Sequence, residues 1–391
     1  MADHGGRRLV PRALKRASAG TALAGVVLLL GGGIPAEAQS GRRLIDLGTL
    51  GGNWTGVTDL NNRREAVGGA SDAEGIFRAF LWSNGKLRDI GPHDGSPTAS
   101  AGDINDRGQA IGNTFPHRRL SHAFLWSDGR TTALPTLGGD ASNARAINER
   151  GQVVGSATDA AGVSHAVLWE DGQVRDLGPG TALLLNDRGQ VVLANNEGIW
   201  LWERGRTTRI GPDAGDGVAR TLGPRAINNR GTVIGDSYVA GRSGTGSFIW
   251  RRGTLTELPP SPDEWACQQA LVLNDRDDIA GSSGEGGACH AIRRRGLGPA
   301  VVLASLGGPS SYATAINNHG DIAGVAQTEG GDRSWAVLWA DGRIINLGAL
   351  PGGESSQAVA VNDRQDVAAF MMTAGGTVMR SFLSVPSPGG G

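Results

Sequence analysis

From residue 43 almost to its end, the chain alternates short apolar runs with clusters of polar turn residues. The stretch from residue 141 to 178 displays the unit. Asn143 to Ile147 reads as a short strand ending at Asn148-Glu149-Arg150-Gly151, the composition of a type I turn followed by a left-handed residue. Gln152 to Ala157 reads as a second strand, and a variable loop leads to a third, His165-Ala166-Val167-Leu168-Trp169. Asp171-Gly172 then turns the chain into a fourth strand, Gln173 to Leu177, an Asp-Gly hairpin signal between two apolar runs. The unit is a predicted four-stranded antiparallel meander. So small a sheet cannot bury both faces alone, and successive units must stack face to face.

The unit recurs. Copies of its core, Ile-Asn-x-Arg-Gly-x-Val-Val-Gly, are anchored on Asn61, Asn105, Asn148, Asn186, Asn228, Asn274, Asn317 and Asn362, with spacings of 44, 43, 38, 42, 46, 43 and 45 residues. That is the size of a propeller blade. The structured part opens with Leu44-Ile45-Asp46-Leu47-Gly48, a fourth strand with no third before it, and closes with Ser381-Phe382-Leu383, a third strand with no fourth after it. The expected fold is therefore an all-β, eight-bladed β-propeller whose N-terminal strand completes the last blade and so removes two sticky edges. Glycine, 64 of 391 residues, is enriched because of the turns. Where Arg64, Asp277 and Gln365 replace the turn glycine, strain or a different turn is expected. The recurrent Asn is expected to hydrogen-bond forward to its own turn backbone, which explains its recurrence by folding alone.

Residues 1–38 read as a secretory leader: Arg7, Arg8, Arg12, Lys15 and Arg16 precede an uncharged, mostly apolar run from Ala17 to Ile34, and Ala36-Glu37-Ala38 ends it. An uncleaved anchor is the alternative, disfavoured by Gly31, Gly32, Gly33 and Pro35 and by the short run. The expected division is a signal peptide at 1–38, one repeat domain at 39–385 and a flexible tail at 386–391. Without the leader the chain has 32 basic and 36 acidic residues. An acidic chain with no clustered basic face is a poor partner for nucleic acid or for an anionic membrane once the leader is gone. A monomer is expected. The two cysteines, Cys267 and Cys289, both lie in the sixth repeat. In an exported chain the simplest reading is one disulfide, worth roughly 3 kcal/mol by loop-closure entropy, with two free thiols as the alternative.

His122-Ala123-Phe124-Leu125-Trp126, preceded by Ile104-Asn105-Asp106-Arg107-Gly108, resembles the extracellular repeat family named for its His-Ala-Phe (HAF) signature. Leu50-Gly51-Gly52, Leu137-Gly138-Gly139 and Leu306-Gly307-Gly308 resemble that family's other mark. The resemblance covers nearly all of residues 43–385 and implies secretion and a repeat architecture, without an activity to carry over. This chain departs from the signature where Arg78, Gly198, Gly246, Trp335 and Arg380 replace the His, and where Arg294 and Ser384 replace the Trp.

His122, His165 and His290 share one repeat position, but equivalent residues of neighbouring blades stand on the order of 10 Å apart, too far for one metal ion; no metal or other cofactor is expected. Trp82, Trp126, Trp169, Trp202, Trp250 and Trp339 are expected to fill the wedge between blades with a backbone partner for each N–H. No enzyme motif is present: Gly235-Asp236-Ser237-Tyr238-Val239 fails the serine-elbow pattern, and Gly244-Thr245-Gly246 lacks a third glycine. Asn53-Trp54-Thr55 matches a glycosylation sequon. The turns of fixed length lie on one face and the variable loops on the other. On the variable face stand Trp54, His93, Asp94, Asp213, Asp216, Glu264, Trp265, Tyr312 and Glu354, aromatics beside carboxylates that suit carbohydrate or peptide. The expected function is a secreted binding or scaffolding module for an extracellular polymer or protein, not an enzyme. The alternative is a polysaccharide hydrolase or lyase using Asp94, Asp213 and Glu264, which requires two converging carboxylates.

Overall fold

The computed structural model describes residues 41–91, 96, 98–117, 120–211, 220–239, 246–258, 272–285 and 288–387. Among them the fold is all-β, with one short 3-10 turn at Ala374–Gly376. Six sheets have four antiparallel strands each, and a seventh has eight. The eight-stranded sheet consists of two four-stranded groups joined through a single bridge between Trp54 and Met379. No helix among the described residues is long and apolar enough to cross a membrane.

The sheet of the third repeat shows how residues set the strands. Its strands are Gly138–Ile147, Val153–Asp159, Ser164–Glu170 and Gln173–Pro179. The last three match the pattern of apolar runs to within two residues. The first begins at Gly138, five residues before the apolar alternation does, because the Leu-Gly-Gly element belongs to the sheet. Leu137 bridges Asp159, Gly138 takes a positive φ of 103°, and register shifts follow between Gly138 and Ser142 and between Ala144 and Ala146. Two bulges break the period-two alternation on which a strand is recognised. The second bulge also explains the last glycine of the repeat core: a Cβ on Gly155 would lie 1.9 Å from the carbonyl oxygen of Asn143, and one on Gly324 would lie 2.0 Å from that of Tyr312.

The hairpins follow their residues. Asp171 and Gly172 have φ of 51° and 74°, and Asn84-Gly85, Asp128-Gly129 and Asp341-Gly342 repeat the arrangement, the type I′ geometry that suits the twist of two strands. In the asparagine turns, Arg64, Asp277 and Gln365 keep the left-handed conformation of the glycine they replace, at φ of 62°, 65° and 61°. The turn shape survives at the cost of local strain, about 1–2 kcal/mol for a side chain in this region.

The core lies between successive sheets. Ile111 and Ala123 of one sheet pack with Ala144, Ile147, Val153, Ala157, Val167 and Trp169 of the next, and the other clusters repeat this sharing. Trp82, Trp169, Trp202, Trp250 and Trp339 are buried as the wedge expectation requires, and Trp126 is half-buried. The indole N–H of Trp169 donates to Pro135 O at 2.8 Å and that of Trp339 to Ala304 O at 2.7 Å, whereas that of Trp250 is buried without a partner among the described residues, against the expectation of one for each. Each buried side chain of this size contributes roughly 2–3 kcal/mol.

The two chain ends meet in one sheet. Arg42–Asp46 pairs antiparallel with Met379–Pro386, Ile45 opposite Leu383, so the unpaired third strand at the C-terminal end receives its fourth strand from the N-terminal end. The missing Trp of this sheet has a use. Ser384, standing in its place, leaves room for the buried Arg42 guanidinium, whose Nε donates to Ser384 Oγ at 2.9 Å and Nη2 to Ser384 O at 2.8 Å and to Gln365 O. Burial lowers the Arg42 pKa to about 10 against the opposing pull of Asp366 and Asp321.

Candidate functional site

Two regions carry chemistry, one at each end of the sheets. The asparagine turns and the Asp-Gly hairpins lie at one end, and the loops between second and third strands lie at the other.

At the turn end the recurrent asparagine does more than close its own turn. Asn148 Oδ1 accepts from the backbone N–H groups of Arg150 and Gln152, both at 3.0 Å, while its Nδ2 donates to Asn186 O in the next sheet at 3.0 Å. The same side-chain bond passes from Asn61 to Asn105, from Asn105 to Asn148, from Asn186 to Asn228, from Asn228 to Asn274, from Asn274 to Asn317 and from Asn317 to Asn362. Asn362 donates to Asn61 O at 3.0 Å, and the circuit returns to its start. All eight asparagines are buried. The forward bond to the turn was legible in the sequence. The cross-sheet bond was not, because it joins residues about forty positions apart.

A second circuit runs through the residue after each asparagine. Asn62 N–H donates to Asp106, Asp106 to Glu149, Glu149 to Asp187, Asp187 to Asn229, Asn229 to Asp275, Asp275 to Asn318, Asn318 to Asp363 and Asp363 to Asn62, always from backbone N–H to side-chain oxygen. These side chains are acceptors that tie one sheet to the next. Asparagine relieves like-charge repulsion where it interrupts the acids: Asn229 Nδ2 donates to Asp187 at 2.8 Å and to Asp275 at 2.9 Å. Both circuits surround a cavity of about 350 Å³ whose lining includes Asp103, Asp106, Glu149, Asp187, Asp275 and Asp363 and no basic residue. Burial raises the Glu149 pKa, and the charges of Asp106, Asp187 and Asp103 add to it, against the Asp106 N–H bond that lowers it.

Asp59 and Asp103 occupy the bulges two residues before their asparagines. The Ile104 N–H lies 3.1 Å from Asp59 Oδ2 and 2.9 Å from Asp103 Oδ1, and Asp103 Oδ2 accepts from Ile147 N–H at 2.9 Å. The two carboxyl groups are hydrogen-bonded to each other, and burial, then the Asp103 charge, push the Asp59 pKa well above the usual carboxylate range. Sequence reasoning passed over this pair. Its signal was an Asp in the first two copies where the others have Ala, Leu or Val. Two carboxyls sharing a hydrogen bond are too close for sugar and water to enter between them, since a glycosidase pair stands roughly 5–9.5 Å apart.

At the loop end, Trp54, Tyr312 and Glu354 are described; His93, Asp94, Asp213, Asp216, Glu264, Trp265 and Cys267 lie outside the described residues. Trp54 is half-buried and meets Phe77 edge to face, with ring centroids 5.0 Å apart and planes at 76°. Gly56 gives the indole room: a Cβ there would lie 2.5 Å from Trp54 Cη2 and 2.9 Å from Met379 Cε. Arg78 pairs with Asp72 at 3.0 Å on the neighbouring loop. Tyr312 is exposed in the middle of its strand and Glu354 at the start of its own, and no hydrogen bond, ion pair or ring contact joins them to Trp54 or to each other. Three further exposed aromatics stand at this end: Phe77 opens a third strand, and Phe115 and Tyr238 end second strands.

Two of the three recurrent histidines have polar partners among the described residues. His165 Nδ1 lies 3.0 Å from Asp176 and its Nε2 3.5 Å from Asp159, and His122 Nε2 bonds Asp140 O at 3.0 Å. Hydrogen bonds from Val163 N–H, then Ala161 N–H, and the nearby His165 outweigh desolvation and lower the Asp159 pKa. Among the described residues no group of three or more His, Cys, Asp or Glu is arranged to hold a metal ion.

No protein family matches the chain, and no curated protein does. Solved structures similar to it include the β-propeller domain of the Trilobed protease from Pyrococcus furiosus, at 10% identity and TM-score 0.48, over 84% of this chain and 92% of that one. A puromycin-hydrolysing peptidase of Mycobacterium tuberculosis matches at 13% identity and TM-score 0.43 over 86% of this chain, and the acylaminoacyl peptidase of Pyrococcus horikoshii at 11% and 0.45 over 81%. The chain spans 60% and 57% of the length of those two peptidases.

Proposed function

We propose that the chain is a secreted repeat protein of the His-Ala-Phe type, an eight-bladed propeller closed by its N-terminal strand, that acts as a binding or scaffolding module for an extracellular polymer or protein. The two head-to-tail asparagine circuits and the pairing of Arg42–Asp46 with Met379–Pro386 support closure with eight blades. The disulfide between Cys267 and Cys289 belongs to the same reading; Cys267 lies outside the described residues.

The observation that carries the binding role is the collection of solvent-facing aromatics at the loop end, with the Trp54–Phe77 pair on its glycine floor as the best-formed platform. Rings held by rigid strands offer apolar area at little entropic cost, and an exposed collection of them marks a contact surface. The polysaccharide-cleaving alternative finds no support in the Asp59–Asp103 pair, for the reason of spacing given above, and its candidates Asp94, Asp213 and Glu264 lie outside the described residues.

A screen of the purified protein against glycans and cell-wall fractions, with product analysis on each hit, tests the proposal. Binding without product is expected, with Phe77→Ala and Tyr312→Ala each weakening it about three- to tenfold. Release of oligosaccharide would replace the module with an enzyme, and binding indifferent to both substitutions would remove the loop end as its surface.

A further inference from the structure

A pocket of about 530 Å³ opens at the turn end, where the closing strand meets the first repeat, far from the loop-end aromatics. Arg43, Leu44 and Ile45 of the closing strand line it, with Arg63 and Arg64 of the first asparagine turn, Trp82, the Asn84-Gly85 hairpin and Arg364 of the last asparagine turn. Four arginines face it and no carboxylate does. In an acidic protein this local balance is unusual, and the pairing of the four is uneven. Arg64 makes a two-pronged contact with buried Asp366, Nε to Oδ2 at 3.0 Å and Nη2 to Oδ1 at 2.7 Å. Arg63 donates to Arg107 O at 2.9 Å and approaches Glu65 at 3.5 Å. Arg43 and Arg364 are exposed, and their guanidinium groups have no hydrogen-bond or ion-pair partner among the described residues.

We propose that this pocket binds an organic monoester of phosphate or sulfate. Two unpaired guanidinium forks supply the charge and the planar N–H pairs that match an oxyanion. Arg63 and Arg64 are held by their carboxylates and add preset donors at the rim. Leu44, Ile45 and the Trp82 edge form an apolar wall that a bare inorganic ion leaves unused, and the volume suits a small organic body rather than an ion alone. A single open pocket, as opposed to a basic stripe, selects one anionic group over a polymer backbone. Because the lining comes from both ends of the chain, the bound ester also bridges the closing strand to the first repeat and stabilises the folded chain by linkage.

Calorimetric titration and thermal melting with phenyl phosphate, phenyl sulfate and inorganic phosphate, each against sodium chloride at equal ionic strength, test the assignment. At least one ester binds and raises the melting temperature above the salt control, and which one binds identifies the oxyanion. Arg43→Ala and Arg364→Ala each weaken that ester roughly tenfold. Neither arginine holds an ion pair, so both variants keep the wild-type melting temperature in salt alone. Arg130→Ala, on another exposed hairpin, leaves binding unchanged. The proposal is overturned if neither ester exceeds the salt control, if inorganic phosphate binds as tightly as the esters, or if the double variant binds like the wild type.

Discussion

The asparagine at position 148 and its seven equivalents each meet three backbone groups with one side-chain amide, two N–H groups in their own turn and one carbonyl in the next. A buried amide of this kind has no substitute of equal reach. Asn148→Ala therefore leaves three buried groups short of a partner and costs about 3 kcal/mol, read as a lower urea midpoint with an unchanged slope. Asp59 makes a prediction of a different sign. Its folded pKa lies above the unfolded value, so the native state holds a proton the unfolded chain releases, and stability is lost as pH rises through the folded pKa. The groups around it, Asp103 and beyond it Glu149 and Asp106, are all acidic and oppose its ionisation. Asp59→Asn keeps a neutral partner for Asp103. Its urea midpoint should exceed that of the wild type at about pH 8 and converge with it near pH 4; a constant offset across that range would show that the shared proton has no part in stability.

At the scale of elements, the closing strand carries more than its five residues suggest. It supplies the edge of the last sheet, places Arg42 where six other repeats place tryptophan, and lines the arginine pocket through Arg43 to Ile45. Deleting residues 43–48 uncovers Met379–Pro386 as an unpaired edge. The truncated protein should be insoluble or oligomeric by size-exclusion chromatography, and a soluble monomer with the wild-type melting temperature would refute the closing role. Strand identity was legible in the sequence from apolar runs and Asp-Gly turns, as at His165 to Trp169. The strand starting at Gly138 was not, because two bulges interrupt its alternation.

For the whole molecule, the sites divide by end. The turn end is built from recurrent residues and is held by its two circuits. The loop end is built from the residues in which the copies differ. The sequence singled out Trp54 and Tyr312 because departures from a repeat are visible in one dimension. It did not yield Phe77, Phe115 or Tyr238 as exposed, because each stands in or beside an apolar run that reads as core.

The one-dimensional pattern determined the strands, the hairpins, the eight copies and the complementary ends, all of which rest on local periodicity and on residues that fix backbone torsions. Only the tertiary structure decided what the recurrent Asn and acidic positions do across sheets, why Ser384 is small, and which arginines share a pocket. Those relations join residues from forty to more than three hundred positions apart, and nothing in local propensity or charge carries information over that distance until packing brings the groups within hydrogen-bond reach.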